Sequence, residues 1–490
     1  MTGAPAPRAA PRWWPAGVLA ATVAVVLALY WRTLGTFFLF DDLASLAIAT
    51  PQGGKSWTDC LQPELIGFWR PLGSLTTYAV ATLFGLRPLA FDLATLAIHV
   101  GVCVLCASVA RRCFGLGPRG ALAAALLMAS HIGAWRGVVL VCNTGDTYVA
   151  AGFLLGLLAW DRALCAPPGG GTRAREAFGR HAPVFGAFAF CLMAKETGVA
   201  LPALLLLWLG VRRGRAGRDH AMVLGAVFVG ALAFAAWAAA QQAASRGSYI
   251  SEGYLRLHPV TTVRSTTDYV VSAFFPYLHT VRWPWADVAW PGAVLWGARF
   301  ALLAGAAGAA ARLLVRRAGS PGTALCAFAL LAAYVVVALP GLRPGPPSPR
   351  FVYPALPFVV LLVVTAVSAL RGAWRAGATA LVAVVWATFV AGFLLSPTVT
   401  GFPALARENA AFVEALRREA PAWPDKAVVS VFDYPVPGPN TKSRWGYLQH
   451  TLSVFGSGRG ATAVLDDILP ETTNAYRWTP DWRLEVVDLP

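Results

Sequence analysis

Apolar runs of membrane-crossing length alternate with short arginine-rich breaks along most of this chain. A hydrocarbon core about 30 Å thick takes roughly 20 apolar residues per helix. Eleven spans fit the pattern, at about 14–34, 88–110, 119–132, 145–162, 181–195, 197–211, 220–240, 291–312, 321–340, 351–370 and 375–395. The first run follows Arg8 and Arg12 and ends in Trp31-Arg32 without a small-residue cleavage site, which reads as an uncleaved signal anchor. Residues 35–87 form a long first loop, within which Pro71–Gly85 is apolar but too short to span and reads as a helix lying on the surface. Residues 241–290 form a second long loop with an aromatic-rich stretch suited to the interface. Beyond residue 395 the period changes. Arg407–Arg418 reads as an amphipathic helix and Ala427–Phe432 as a buried strand, so residues 396–490 are expected to be a small α/β domain.

Charge assigns the sides. Arg111, Arg112 and Arg119; Arg162, Arg173, Arg175 and Arg180; Arg212, Arg213, Arg215 and Arg218; Arg312, Arg316 and Arg317; and Arg371 and Arg375 all fall in alternate loops. The excess of Arg and Lys in cytoplasmic loops then puts the N-terminus in the cytoplasm and both long loops and residues 396–490 outside. The expected fold is an all-α polytopic membrane protein of about eleven transmembrane helices, residues 1–395, followed by the small C-terminal domain. Composition agrees. The 490 residues are 57% hydrophobic and 13% charged, with mean hydropathy +0.58, against about 25% charged in soluble proteins. The net charge of +16 is not a nucleic-acid signal, because residues 1–395 carry +18 in membrane-flanking loops and residues 396–490 carry −2. Of the eight cysteines, Cys103-x-x-Cys106 lies mid-span without a second pair and reads as packing. Cys60 and Cys142 fall on the outer side, and their pairing is left open.

On this topology the ionisable groups gather at one depth. Asp41 and Asp42 follow the first span. Arg70 precedes the surface helix. His131, Trp135 and Arg136 end the third span, and Asp146 opens the fourth. Lys195 and Glu196 sit at the outer turn between the fifth and sixth, and Arg350 opens the tenth, with Tyr353 three residues on. Ionisable residues at membrane level are costly and mark function. Carboxylates can deprotonate a hydroxyl or hold a hard divalent cation such as Mg2+ or Mn2+. Arg and Lys can hold a phosphate. Asp92 and His99 share a face of the second span and read as a structural pair.

Phe40-Asp41-Asp42, Trp69-Arg70-Pro71-Leu72, Phe84-Gly85-Leu86-Arg87-Pro88-Leu89-Ala90-Phe91 and His99, Ser130-His131 with Trp135, Ala194-Lys195-Glu196-Thr197 and Arg350-Phe351-Val352-Tyr353-Pro354-x-x-Pro357 occur in that order. This series resembles the GT-C membrane glycosyltransferases, above all the bacterial relatives of the O-mannosyltransferases that carry tetratricopeptide repeats. It covers roughly residues 15–395. No repeats follow, Asp92 and Thr95 stand where that family often has His and Asn, and Gly133 and Ala134 stand where an acid is common. The resemblance implies a transferase that takes a sugar from a polyprenyl-phosphate donor to an extracytoplasmic hydroxyl of a protein, lipid or polysaccharide, in a bacterial inner membrane. It implies Asp41 and Asp42 as the acidic pair at the acceptor and donor site, and Lys195, Glu196 and Arg350 near the lipid phosphate. The alternative is a transporter or lipid-linked-sugar flippase, which would place its polar groups near the midplane and repeat one half in the other.

Overall fold

The structure is a computed structural model. It describes residues 14–39, 41–64, 68–166, 174–212, 217–245, 330, 331, 334, 349–395, 397–424, 427–432, 441–455, 462–465, 472, 474–481 and 483–487. The second long loop and the expected spans 291–312 and 321–340 lie outside the described residues, except for Leu330, Leu331 and Tyr334.

Prolines and arginines punctuate the helices as their backbone chemistry dictates. A proline at the first helical position gives up no hydrogen bond, and basic side chains suit the last turn. Helix α1 (Trp14–Tyr30) is followed by the acidic helix α2 (Asp41–Ala49) and by α3 (Pro71–Phe84). The long α4 (Pro88–Arg112) begins at a proline and ends in two arginines. Then come α5 (Pro118–Ala129), the short α6 (Trp135–Val139), α7 (Thr144–Cys165), α8 (Ala174–Ala194), α9 (Leu201–Val211), α10 (Arg218–Ala244), α11 (Leu356–Ala369) and α12 (Gly372–Leu394). Among the described residues, helices thus occupy nine of the eleven expected positions.

Fewer of them qualify as spans by themselves. Among the described residues six helices are long and apolar enough to cross a membrane, or seven if a bent pair counts as one. The bent pair falls on the expected span 119–132. At 12 residues α5 rises only about 18 Å. The chain then turns at His131, whose ring nitrogen accepts from the Gly133 amide at 3.0 Å, and continues at 47° through Ile132–Val139. The stretch 197–211 likewise splits into a 3-10 turn, Glu196–Ala200, and α9. Helix α3 lies across α2, α4, α7 and α8 and leaves Leu83 and Phe84 exposed at its end.

After α12, α13 (Pro397–Glu419) leads to strand β1 (Val428–Phe432), helix α14 (Thr441–Phe455) and strands β2 (Thr462–Leu465), β3 (Asn474–Trp478) and β4 (Leu484–Val486). The sheet order is β2-β1-β3-β4, with β1 parallel to both neighbours and β4 antiparallel to β3. The C-terminal segment is not a free appendage. Helix α14 packs on α2, and Phe455 meets Phe37 with ring centroids 5.5 Å apart. From α13, the fully buried Asn409 donates to the Phe38 carbonyl at 2.8 Å. Asn409→Leu leaves that carbonyl without its donor, at about 1–3 kcal/mol. It is expected to lower the melting temperature in detergent and to speed limited proteolysis after residue 397.

Candidate active site

The linker from α1 to α2 is held from two sides. Gly35, at φ +74, turns the chain so that its amide donates to Asp92 of α4 at 2.7 Å. Asn409 holds Phe38 from the C-terminal side. Asp41 and Asp42 then form the first turn of α2, where the positive end of the helix dipole favours carboxylates. Their environments differ. Asp41 is half-buried. Asp42 is buried, and its Oδ1 accepts from the Cys142 amide at 2.9 Å. Burial pushes the Asp42 carboxyl up to about 7; the Cys142 amide opposes this and the charge of Asp41 adds to it. Asp92 lies within electrostatic reach of Asp42.

Cys142 belongs to a 3-10 turn, Val141–Asn143, that runs straight into α7. Asp146 therefore follows within about two helical turns of the amide that holds Asp42. Lys195, just beyond α8, places its Nζ 2.8 Å from both oxygens of Asp146, with side chains only 10% and 2% exposed. Gly145 allows this approach, because a Cβ there would sit 2.8 Å from the Ala194 carbonyl oxygen. Gly145→Ala is expected to push the start of α7 off the end of α8 and to cost about 1–3 kcal/mol, read as a lowered melting temperature.

The next residue, Glu196, receives Arg70 through Nε at 3.2 Å and Nη2 at 3.0 Å, a forked contact. Arg70 also lies over the Phe68 ring at 4.0 Å. Burial works against the Arg70 charge, but Glu196 and Glu64 outweigh it and hold the guanidinium above its usual range. Glu64 is pushed up by burial, with Arg70 opposing and Glu196 adding. The result is a chain of charges, Glu64–Arg70–Glu196 beside Lys195–Asp146, one residue apart on the backbone.

The other expected residues fall elsewhere. His131 is buried, caps its own turn and stacks edge-on to Trp386 of α12 at 5.0 Å. Arg136 is half-buried in α6, and its carbonyl accepts from Asn143 at 2.8 Å. Tyr353 is fully buried, and its hydroxyl meets His99 of α4. Arg350 stands in the 3-10 helix Pro349–Ala355, and its side chain lies outside the described residues. Asp92 and His99, the pair that a transport path would use, are bonded to Gly35 and Tyr353 inside the protein. Cys60 and Cys142 are not joined in a disulfide. Among the described residues no three His, Cys, Asp or Glu side chains gather to hold a metal ion. A cation on Asp41 and Asp42 would need the rest of its oxygens from substrate and water, as Mg2+ commonly does.

Two residues join the site that the sequence reading passed over. Glu64 lies six residues before Arg70, a spacing that could have drawn notice. His450 comes from α14, and only folding brings it to α2. Burial pushes its imidazole below its ordinary range, while the charge of Asp41 acts the other way.

No protein-family model matches the chain, and no curated protein matches it in sequence. Solved structures do. ArnT from Cupriavidus metallidurans bound to undecaprenyl phosphate aligns with a TM-score of 0.53 at 16% identity, over 96% of this chain and 97% of that one. The same protein in the apo state gives 0.48 at 19% identity over the same shares. The archaeal oligosaccharyltransferase AglB from Archaeoglobus fulgidus, in complex with an inhibitory peptide and a dolichol-phosphate, gives 0.44 at 14% identity, over 92% of this chain and 65% of that one. The first of these likenesses runs through nearly the whole of both molecules, and the chain has the fold of the GT-C membrane glycosyltransferases.

Proposed function

We propose that the protein is an inverting glycosyltransferase of a bacterial inner membrane. It moves a sugar from a polyprenyl-phosphate donor to a hydroxyl of a protein, lipid or polysaccharide on the periplasmic side. One observation carries the reading: on a GT-C fold, the buried Asp42, beside Asp41, accepts from the Cys142 amide four residues before Asp146, and Asp146 pairs with Lys195, the backbone neighbour of the Glu196 that holds Arg70. That the likeness includes a structure bound to undecaprenyl phosphate supports the donor class.

Asp41, the more accessible carboxylate, takes the proton of the acceptor hydroxyl. The oxygen attacks the anomeric carbon from the face opposite the phosphate. The bond from that carbon to the phosphate oxygen breaks, its electron pair leaves with the polyprenyl phosphate, and the configuration inverts. Asp42, anchored by Cys142, orients Asp41 and, once ionised, places a second negative charge beside the acceptor hydroxyl. Charge growing on the leaving phosphate is met by Arg70, Lys195 and Arg350, the kind of stabilisation that lowers a barrier most. Arg70 uses Nε and Nη2 on Glu196, and its Nη1 has no hydrogen bond among the described residues. Glu196 and Asp146 keep the cations in place without substrate. His131, Arg136 and Tyr353 support the walls from behind.

Purified protein in detergent, given a panel of polyprenyl-phosphate sugars, should hydrolyse or transfer one of them. Retention of full activity by a folded Asp41→Asn/Asp42→Asn double variant would sink the mechanism.

A further inference from the structure

The other end of the helical bundle holds a second built feature. A cavity of about 880 Å3 opens between α1, α4, α7 and α8, within the size of ligand sites. Its wall is apolar, with Leu105, Leu155 and Phe190 on three of these helices. Leu155 is 39% exposed, and Leu105 and Phe190 are half-buried. Its rim is basic: Arg111 and Arg112 come from the last turn of α4 and Arg162 from the last turn of α7. Trp14 at the start of α1 also lines it, and Arg111 lies over the Trp14 ring at 4.5 Å. Helix α1 rises roughly 25 Å over its 17 residues before the chain reaches Asp41. The rim, at the start of α1, and the acid pair, beyond its end, therefore lie toward opposite ends of this helix, and one headgroup cannot serve both.

The rim has more positive charge than its protein partners answer. Arg112 approaches Asp161 at 3.7 Å, and Asp161 is shared with Arg212 at 3.0 Å. Among the described residues neither Arg111 nor Arg162 pairs with a carboxylate. Guanidinium groups over an apolar groove match a group with a phosphate at one end and a hydrocarbon chain at the other. A soluble phosphate would leave the wall bare. Basic pockets between transmembrane helices at the cytoplasmic face suit anionic headgroups.

We infer that this cavity binds an anionic glycerophospholipid of the leaflet on the arginine-rich side. Its phosphate sits between Arg111 and Arg162, and an acyl chain lies along Leu105, Leu155 and Phe190. The site is independent of the transferase reading, and its test does not use activity. Delipidated protein is titrated with phosphatidylglycerol and, separately, with phosphatidylcholine of the same chains, and bound lipid is counted by native mass spectrometry. Each arginine near a headgroup of net negative charge contributes about fivefold to affinity, and choline offsets the phosphate charge in phosphatidylcholine, so wild type should favour phosphatidylglycerol roughly 25-fold. R111Q/R162Q should bind both lipids alike. L155W keeps the rim charge but fills the wall and should lose phosphatidylglycerol too, which tests the site even where the double variant fails to fold.

Equal binding of the two lipids by wild type would overturn the inference, as would an unchanged preference in R111Q/R162Q. So would displacement of the lipid by millimolar inorganic phosphate, which would make this a soluble-anion site. Preference for undecaprenyl phosphate over phosphatidylglycerol, lost in R111Q/R162Q, would equally overturn the assignment to a glycerophospholipid.

Discussion

Asp41→Asn is expected to lower sugar transfer by about 10²–10⁴-fold, the usual contribution of a positioned general base, with little change in folding because Asp41 is half-exposed at a helix start. Asp42→Asn should behave differently. The Asp42 carboxyl titrates at about 7, so wild-type turnover should rise with pH up to that value and level off above it. The asparagine variant should turn over more slowly and lose that inflection. Stability runs the opposite way. A folded-state value above the ordinary carboxylate range means that between about pH 4 and 7 the native protein keeps a proton that the unfolded chain releases, so stability falls as pH rises through that window. Asp42→Asn removes this slope and should melt higher than wild type at pH 8. A larger loss of activity in Asp42→Asn than in Asp41→Asn, with Asp41→Asn nearly active, would exchange the two roles.

The second large effect lies at Lys195. Lys195→Met leaves Asp146, 2% exposed, as a buried charge without its ammonium partner. Breaking one side of such a pair costs about 3–5 kcal/mol, whereas replacing both sides with uncharged groups is often neutral. The single variant should therefore melt well below wild type in detergent, and Asp146→Asn/Lys195→Met should recover most of the loss. Activity separates structure from chemistry. If Lys195 meets the donor phosphate, the recovered double variant stays slow, with a raised KM for the donor. A stable and fully active double variant would show the pair to be scaffolding.

Much of the helical architecture could be read from the residues. Pro88 and the Arg111-Arg112 doublet mark both ends of α4, and Val428–Phe432 is the strand that its β-branched run suggests. What could not be read is pairing across long sequence distances. Asp146 and Lys195 are 49 residues apart, and Asp42 and the Cys142 amide 100 apart. Nothing local to either residue says which partner it will find. Lys195 and Arg70 look from the sequence like cations waiting for a phosphate, and the fold gives each a carboxylate as well. The local bond of His131 is hidden for the opposite reason. Its partner is only two residues away, but the bond exists because the helix breaks there, and an apolar stretch like 119–132 gives no sign of the break. Tyr353 sits in a motif rich in proline, yet it is its packing against α4 that takes it into the core.

Helix α14 and Asn409 clasp the acidic linker from residues that the ribosome makes after all of α1 to α12. A nascent chain with all of α1 to α12 inserted still lacks the hand that holds Phe37 and Phe38, although Gly35 and Asp42 can already find Asp92 and the Cys142 amide. Order at the acidic linker thus follows the synthesis of α13 and α14 and is not complete on insertion of α1 to α12.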